Sequence, residues 1–426
     1  PTRLVRMLLG RLAPVGALAG RSTVNGRARL VQMGTSSVTG MEPGPYPVGV
    51  TTKQFDDHSR KDPTSGGPRR LQTEIWYPAA AEAANLPPGR YSDYLGRGAI
   101  PGSIAAAEES DAIGGYRDGL TIAQLDAEWP GAAVRDARPD APERSGGNWP
   151  LVLFSHGSGA FRASYIYWTE YLASHGFCVV ACDHAGSARY TQLDGEVVKP
   201  GGARSTRAQM EADRPADLLF LLDRMGALAA GADSRFAGRL DATNCAVTGM
   251  SFGGWTCAQV LEACDPRVKA AILQCPSLAM SGGAAGYPPL ANEQRSNRAT
   301  PTLVMLGTED TVIGEEGNAA GRAYFETHSG PRQLLEIRRG GHVSFTSCEL
   351  YNPEYGNGIG ESNSLSRRGE KYTPMPIVEQ HAVINAYGLA FLNAHLRPAA
   401  QGPELAGFNA AYLQANHFDA DEVVWK

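Results

Sequence analysis

Uninterrupted apolar runs alternate with stretches of helical apolar spacing through the middle of the chain. LVLFSH (151–156) and FCVVACDH (177–184) are such runs, and ASYIYWTEYLASHG (163–176) between them has helical spacing that stops at Gly176. Runs that are apolar at consecutive positions are typical of parallel strands buried on both faces. The pattern therefore predicts a strand, a helix and a second strand in this order.

The same alternation continues almost to the end of the chain. Four more strands are predicted at 244–250, 268–276, 301–310 and 332–339, and four more helices at 207–225, 252–264, 316–327 and 377–396. Pro215 predicts a kink in the first of these helices, because proline removes a backbone donor. Strands and helices in this order form a mostly parallel sheet that is covered on both faces. We therefore expect an α/β fold with one central sheet.

Two further strands and a long irregular segment precede this region. GPYPVGVTTKQF (44–55) and LQTEIWYP (71–78) are rich in β-branched and aromatic residues, which predicts strands. Residues 79–148 are rich in Ala, Gly, Pro and charge, so we interpret them as an insertion or lid before the strand at 151–156. Its aromatic residues are expected either to line a lid over a ligand or to pack the segment itself; they are Tyr91, Tyr94, Tyr116 and Trp129.

These patterns divide the chain into three parts. A single α/β domain is expected over 43–398, between a disordered leader over 1–42 and a C-terminal tail over 399–426. The leader is rich in arginine and has no acidic residue before Glu42, which is typical of an organelle transit segment. A weak secretory segment at 12–20 and translated sequence upstream of a true start are the alternatives. A cytoplasmic or organellar location is therefore favoured over secretion.

The composition excludes several classes of partner. Hydrophobic residues make up 42% of the chain and charged residues 19%, which is typical of a globular protein with a sizeable core. The net charge is −5 and no long basic stripe occurs, so nucleic acid is not an expected partner. No run reaches the roughly 18 apolar residues that a membrane-spanning helix needs. The sequence leaves the oligomeric state open.

The seven cysteines match no zinc or redox spacing. Six of them fall in predicted strands or helices, namely Cys178, Cys182, Cys245, Cys257, Cys264 and Cys275. We interpret these as buried, reduced thiols that act as small apolar residues. This favours a reducing compartment, and we expect neither a metal nor a cofactor.

VTGMSFGGW (247–255) places a serine between glycines where a predicted strand meets a predicted helix. This G-x-S-x-G pattern in that context indicates a nucleophile elbow with Ser251 as the nucleophile. Gly249 and Gly253 leave room for the tight turn, and the helix N-terminus presents N–H groups to developing negative charge. A purely structural glycine-rich turn is the alternative. A phosphate-binding loop is disfavoured because no GK[ST] follows.

A serine nucleophile needs a base, and His342 in RRGGHVSF is the best placed of the nine histidines. It follows a late predicted strand, as the base does in enzymes with the chain order serine, acid, histidine. His184 in CDHAG is the strongest competitor, but it precedes the serine. Other candidates lie in an early loop or on helices, namely His58, His175, His381 and His395.

The acid of such a triad is expected between the serine and the histidine, at the end of a strand. GTED (307–310) closes the apolar run PTLVML, and Asp310 lies 59 residues after Ser251 and 32 before His342. A carboxylate there would hold the imidazole in the correct tautomer. Glu309 is adjacent, but neighbouring side chains of an extended chain point in opposite directions, and Asp310 is nearer the loop.

The loop SHGSGAF (155–161) is expected to complete an oxyanion hole. In this architecture one donor is the backbone N–H of the residue after the nucleophile, here Phe252. The second donor comes from the early loop, and we expect it to be the backbone N–H of Ser158. His156 in the same loop is interpreted as a residue that orients the loop.

Together these motifs resemble the platelet-activating factor acetylhydrolases and, equally, bacterial proteins described as predicted dienelactone hydrolases. The resemblance spans roughly 44–398, and SHGSGAFR and LASHGF are its most specific parts. It implies the α/β-hydrolase fold, no metal requirement, and hydrolysis of short or oxidised acyl esters such as platelet-activating-factor-like phospholipids. The expected partner is therefore a small-molecule or lipid ester.

The position of the acid departs from that in the animal acetylhydrolases. In those enzymes the acid directly follows the strand after the elbow helix, where this chain has QCPSL (274–278) and no acid. The GTED placement instead resembles bacterial esterases, dienelactone hydrolases and polyester-degrading cutinases. The resemblance therefore implies the fold and the triad more strongly than it implies phospholipid specificity.

A serine carboxylic-ester hydrolase is the expected function, with alternatives inside and outside the enzyme class. A lactone, dienelactone or cutinase-like polyester hydrolase would use the same groups, although a cysteine nucleophile would favour the dienelactone reaction more. A serine peptidase of this fold is disfavoured because propeller-like N-terminal repeats are absent. A catalytically inactive binding protein is disfavoured because all three triad residue types are present.

Overall fold

The computed structural model describes an α/β unit built around one large sheet. The described residues are 42–90, 93–94, 131–141, 147–189, 191–193, 196–278, 300–347, 362–397 and 423–425. The expectations for a leader over 1–42 fall, except for Glu42, outside the described residues. The predicted domain boundaries stay predictions.

The elements predicted from the apolar pattern are all present, with ends shifted by a few residues. The strands are β1 (Val48–Lys61), β2 (Pro68–Pro78), β3 (Ala133–Arg135), β4 (Trp149–Ser155), β5 (Cys178–Cys182), β6 (Thr191–Leu193), β7 (Glu196–Val198), β8 (Leu240–Met250), β9 (Val268–Gln274), β10 (Thr302–Gly307), β11 (Arg332–Ile337), β12 (Ser362–Asn363), β13 (Lys371–Tyr372) and β14 (Val423–Trp425). The α-helices are α1 (Ile166–Ser174), α2 (Arg207–Ala227), α3 (Phe252–Glu262), α4 (Gly314–Thr327) and α5 (Ile377–Leu396). Helix α2 continues through Pro215 as one element and does not end there.

Ten strands form one sheet, in the order β14-β11-β10-β9-β8-β4-β5-β2-β1-β3. The six central strands, from β11 to β5, pair in parallel, whereas β2 is antiparallel to both β5 and β1. The predicted mostly parallel sheet is therefore confirmed. Because parallel strands end at the same edge of a sheet, the loops after β8, β10 and β11 open at one edge. These are the loops that carry Ser251, Asp310 and His342.

Helices cover both faces of the sheet, as the pattern predicted. On one face, α1 and α5 bury Trp168 and Tyr387 against a cluster that includes Val152 of β4. On the other face, α2 and α3 bury Leu218 and Trp255 in a second cluster, which α4 also joins. Within the described residues, none of the helices has the length and apolarity needed to cross a membrane.

Two short strands at the edges of the sheet differ from the sequence prediction. Within the predicted insertion or lid at 79–148, residues 133–135 form β3, which pairs in parallel with β1. Within the predicted C-terminal tail at 399–426, residues 423–425 form β14, which is antiparallel to β11. Strands of three residues are too short to show a period, so the apolar pattern could not reveal them.

Tyr94 of the insertion packs into the core. Its side chain is 2% exposed, its ring stacks on Trp76 of β2, and its hydroxyl accepts a hydrogen bond from the Trp76 indole at 3.0 Å. The same hydroxyl donates to the buried Glu170 carboxylate of α1 at 3.1 Å. Tyr94 therefore attaches the insertion to the domain. The other aromatic residues considered for a lid, Tyr91, Tyr116 and Trp129, lie outside the described residues.

Five of the six described cysteines are buried free thiols, as interpreted from the sequence. The interpretation is wrong for Cys264, which is exposed. It lies just beyond the end of α3 with a φ of 52°, in the turn that leaves the helix. Its position in the apolar pattern therefore reflects the helix end and not the core.

Helices α1 and α5 pack against each other where Gly388 faces Trp168. A Cβ at position 388 would lie 2.3 Å from Cη2 of the Trp168 ring, which is completely buried. The ring cannot move aside without displacing the core around it. Glycine at 388 is therefore required by packing.

We expect Gly388→Ala to lower the free energy of unfolding by about 1–3 kcal/mol, the usual cost of overpacking a core. Gly226→Ala in α2 is the matched control, because its Cβ would meet its nearest neighbour, Ala242, at 3.8 Å. That change should be neutral or stabilising by up to about 1 kcal/mol, since alanine favours helices. Urea unfolding of both variants measures the difference, and equal stabilities would contradict the packing argument.

Candidate active site

Ser251 occupies the sharp turn between β8 and α3. Its backbone has φ 57° and ψ −115°, a conformation that costs a non-glycine residue of order 1–3 kcal/mol. Its N–H donates to the Gln274 carbonyl at 2.9 Å, and its carbonyl accepts from the N–H groups of Trp255 and Ser277, both at 3.1 Å. The strained turn is thus held from α3 and from the end of β9, and it leaves the half-buried Ser251 side chain at the sheet edge.

The two glycines beside Ser251 allow the backbone segments to touch. A Cβ at Gly253 would lie 1.8 Å from the carbonyl oxygen of Ser155, at the end of β4. A Cβ at Gly249 would lie 2.5 Å from the backbone of Gly253. Because these neighbours are backbone atoms of a strand and a helix, neither can move to make room. The turn therefore needs glycine at both positions.

Asp310 and His342 are joined by a hydrogen bond after β10 and β11. The distance between His342 Nδ1 and Asp310 Oδ2 is 2.6 Å. The other carboxylate oxygen, Oδ1, accepts from the N–H groups of Val312 and Ile313, both at 3.0 Å. Asp310 is fully buried and His342 is 7% exposed. The carboxylate is thereby fixed in orientation, and it in turn orients the imidazole.

Gln380 of α5 holds the loop that carries His342, and sequence reasoning missed it. Its Oε1 accepts from the Gly341 N–H at 3.2 Å, and its Nε2 donates to the Gly341 carbonyl at 3.1 Å. The side chain is completely buried. A glutamine on an otherwise apolar helix face was the available signal, because a buried amide requires hydrogen-bond partners.

Glu309, the alternative acid, points away from His342. Its carboxylate accepts hydrogen bonds from the Ser364 and Ser366 hydroxyls, at 2.9 and 2.5 Å, and from the Leu365 N–H at 2.5 Å. It therefore anchors the segment after residue 362. Adjacent carboxylates at 309 and 310 thus face different parts of the molecule, as the alternation argument expected.

Cys275 lies beside the Asp310–His342 pair. One ligating atom from each of these three residues lies within 4.8 Å of the others. Burial raises the pKa of the Cys275 thiol well above its ordinary value, and the Asp310 carboxylate raises it further. The thiol is therefore protonated at neutral pH and faces a carboxylate that accepts hydrogen bonds.

The loop after β4 carries Ser158 at an exposed position. The side chain of His156, which is buried in the same loop, holds the loop in place. The His156 ring lies 2.7 Å from the Gly157 carbonyl through Nδ1, and its Nε2 accepts the His184 N–H at 3.2 Å. Burial, followed by the charge of Arg214, lowers the pKa of His156 well below its ordinary value. His156 is thus a neutral brace, and both of its ring nitrogens make hydrogen bonds.

Phe252, the other residue predicted to donate to an oxyanion, is the first residue of α3, so its N–H lies at the helix N-terminus.

His184, the competing base, belongs to a second chain of serine, histidine and aspartate. Its Nε2 lies 3.0 Å from Ser155 Oγ, and its Nδ1 lies 2.9 Å from Asp217 Oδ2. All three residues are completely buried, which denies a substrate access to them. Burial lowers the pKa of His184 to about 3, so the ring is neutral. Sequence reasoning could not assign these partners to His184, because Ser155 and Asp217 lie 29 and 33 residues away from it along the chain.

The chain is similar to proteins named platelet-activating factor acetylhydrolase. The family model for platelet-activating factor acetylhydrolase, isoform II, matches residues 119–199. A platelet-activating factor acetylhydrolase from Cavia porcellus is 29% identical over 291 residues, which cover 62% of this chain and 62% of that protein. The enzyme of that name from Canis lupus familiaris is 32% identical over 33% of this chain and 38% of its own length. The chain therefore spans less than two thirds of these relatives.

A solved structure matches far more of the chain. The ferulic acid esterase from Streptomyces cinnamoneus superposes with a TM-score of 0.62 and 26% sequence identity, over 90% of this chain and 98% of its own. This likeness and the sheet order confirm the predicted α/β-hydrolase fold. Together, the findings confirm that the chain resembles the platelet-activating factor acetylhydrolases, and they support an ester hydrolase of the α/β-hydrolase fold.

Proposed function

We propose that the protein is a serine carboxylic-ester hydrolase that uses Ser251, His342 and Asp310 and acts on short-chain acyl esters. The observation that carries the proposal is the 2.6 Å hydrogen bond between His342 and Asp310, at the sheet edge where Ser251 occupies its strained turn. Acid, base and nucleophile then follow three parallel strands of one sheet. The relatives named as acetylhydrolases and the esterase fold support the same class of reaction.

In the proposed reaction, Asp310 accepts the Nδ1 proton of His342 in a hydrogen bond and leaves Nε2 free to act as the base. His342 removes the Ser251 proton as the hydroxyl oxygen attacks the ester carbonyl, and the backbone N–H groups of Ser158 and Phe252 stabilise the tetrahedral oxyanion. His342 then protonates the leaving alcohol, which gives an acyl-enzyme. Water attacks this intermediate in the same way and releases the acid.

The proposal assigns no metal to this site, although Cys275, Asp310 and His342 resemble a ligand set. Two ligands of a tetrahedral zinc ion, each about 2.0 Å from the metal, lie roughly 3.3 Å apart. The 2.6 Å between His342 and Asp310 suits a direct N–H···O bond instead. The thiol would also have to ionise against a pKa that burial raises.

The chain length of the acyl group is the first property to measure. Initial rates on p-nitrophenyl esters from acetate to dodecanoate, with methyl ferulate alongside them, should be highest on the shortest acyl groups. Ser251→Ala should abolish these rates. A maximum at long chains would indicate a lipase, and a preference for ferulate would indicate an aromatic acyl group. Ester hydrolysis that survives Ser251→Ala would contradict the proposal.

The two adjacent carboxylates provide a matched test of the acid. We expect Asp310→Asn to lower kcat by about 10⁴-fold, because the amide favours the wrong imidazole tautomer. Glu309→Gln should leave kcat within about threefold, since Glu309 contacts the segment after 362 and not His342. Steady-state kinetics with circular dichroism of both variants check this, and similar losses of kcat would exclude Asp310 as the triad acid.

A carboxylate at position 275 should partly replace Asp310. In the Asp310→Asn background, we expect Cys275→Asp to recover at least about tenfold in kcat, because Cys275 Sγ lies within 4.8 Å of the His342 ring nitrogen. Cys275→Ser in the same background is the control and should recover nothing. If the two double variants have the same kcat, a carboxylate at 275 does not reach His342.

A further inference from the structure

The buried guanidinium of Arg214 lies behind the candidate site and contacts two of its segments, the loop after β4 and the start of helix α3. Arg214 belongs to α2 and is completely buried. Toward the loop after β4, its Nη2 donates to Ser155 Oγ at 3.1 Å and to the carbonyl oxygen of His156. Toward α3, its Nε donates to Thr256 Oγ1 at 3.0 Å, and its plane lies 4.4 Å from the ring centroid of Phe252.

These contacts connect the two backbone segments that carry the proposed oxyanion donors. Ser155 and His156 lead directly into the loop of Ser158, and Phe252 is itself the other donor. Thr256 also donates to the carbonyl of Phe252 at 2.8 Å, which ties the Arg214 contact to the first turn of α3. One rigid, planar group therefore spans the gap between the two donor segments.

A buried chain of hydrogen bonds fixes the Ser155 end of this connection. The Ser155 hydroxyl donates to Nε2 of the neutral His184 ring, whose Nδ1–H donates to Asp217. Arg69 in turn binds Asp217 through both carboxylate oxygens, at 3.0 and 2.7 Å. The hydroxyl proton is thereby directed away from Arg214. Ser155 Oγ then presents its lone pairs to the guanidinium, so each contact has a defined direction.

We infer that Arg214 is a positioning residue for ester hydrolysis, which sets the spacing between the Ser158 and Phe252 N–H groups of the oxyanion hole. The inference rests on the proposed function, since it assigns a role within that site. Donors in an oxyanion hole must match the transition state, and the backbone cannot adjust their spacing without moving α3 or β4. Lysine cannot substitute for arginine here, because a single ammonium group cannot donate to acceptors in the loop after β4 and in α3 at once, as the planar guanidinium does.

The test compares Arg214→Lys and Arg214→Met with the same changes at Arg397. Arg397 is the matched control because its guanidinium also lies over a phenylalanine ring, Phe177 at 4.1 Å, and donates to the backbone carbonyls of His175 and Gly176. Those residues stand at the amino end of β5, at the opposite edge of the sheet from the site. Arg397 is half-buried, whereas Arg214 is completely buried. A loss that came only from removing a guanidinium packed on a phenylalanine ring would appear in both pairs of variants.

Two readouts separate positioning from stability. For Arg214→Met and Arg214→Lys we expect kcat on p-nitrophenyl acetate to fall about 10²–10³-fold, the cost of losing an oxyanion donor, with KM within about threefold. The Ki of an alkyl trifluoromethyl ketone, whose adduct with serine places an oxyanion in the hole, should rise by a factor similar to the loss of kcat/KM. The Arg397 variants should lower Tm while kcat and Ki stay at the wild-type values.

A second variant keeps the inference testable if Arg214→Met does not fold. Thr256→Val preserves shape and leaves the charge in place but removes the contact of Arg214 with α3, and it should lower kcat about tenfold and raise the ketone Ki equally. Normal kcat and Ki in the Arg214→Lys or Thr256→Val variants would overturn the inference. Wild-type hydrolysis by Ser251→Ala would instead overturn the proposed function, so the two failures are distinguishable.

Discussion

The site depends on the backbone contact between Gly253 and Ser155. With only 1.8 Å available for a Cβ, no other residue type lets α3 begin this close to the end of β4. Since β4 and β8 pair side by side, with Ser155 opposite Gly249, this contact sets where the helix N-terminus lies relative to the loop after β4. The left-handed backbone of Ser251 follows from the same constraint, because the chain must turn from strand to helix within one residue. The hydrogen bonds of Ser251 to β9 and α3 compensate for that strain.

Burial, and not residue identity, distinguishes the two chains of serine, histidine and aspartate. Ser155, His184 and Asp217 have the residue types and spacing of a triad, but they are completely buried, and they are bound by three arginines, Arg60, Arg69 and Arg214. A buried neutral histidine between a hydroxyl and a carboxylate fixes the direction of both hydrogen bonds, but it cannot contact an ester substrate. The pair at the sheet edge differs because His342 retains some exposure and because helix α3 starts directly after Ser251, the proposed nucleophile. The buried chain therefore braces the candidate site, and the group at the sheet edge, with its half-buried Ser251, is the one suited to the proposed chemistry.

The sequence predicted those helices and strands that are long enough to show a periodic pattern of apolar residues. Each predicted helix and each parallel strand is present, and the edge that gathers Ser251, Asp310 and His342 follows from strand order alone. The edge strands β3 and β14 were missed because three residues carry no period. Gln380 and Arg214 were missed for another reason: each lies within a helix far along the chain from its partners, so only the tertiary fold reveals which buried polar groups it serves. Tyr94 is a related case, since a tyrosine in an irregular segment is equally compatible with a lid and with a core contact.

Parallel strands also explain why positions 275 and 310 could each carry the acid of the proposed triad. β9 and β10 are parallel neighbours, so residues just beyond their ends, Cys275 and Asp310, lie beside each other and both face His342. The two positions are not equivalent, however. A carboxylate at 310 accepts two backbone N–H groups from the turn into α4, which fix its plane. Position 275 has a left-handed backbone with a φ of 32°, and the N–H groups of Ser277 and Leu278 that follow it donate to backbone carbonyls. The turn that follows β10 therefore makes Asp310 the better-oriented of the two positions for the acid of the proposed triad, and a thiol at 275 fills the remaining space without adding a second charge.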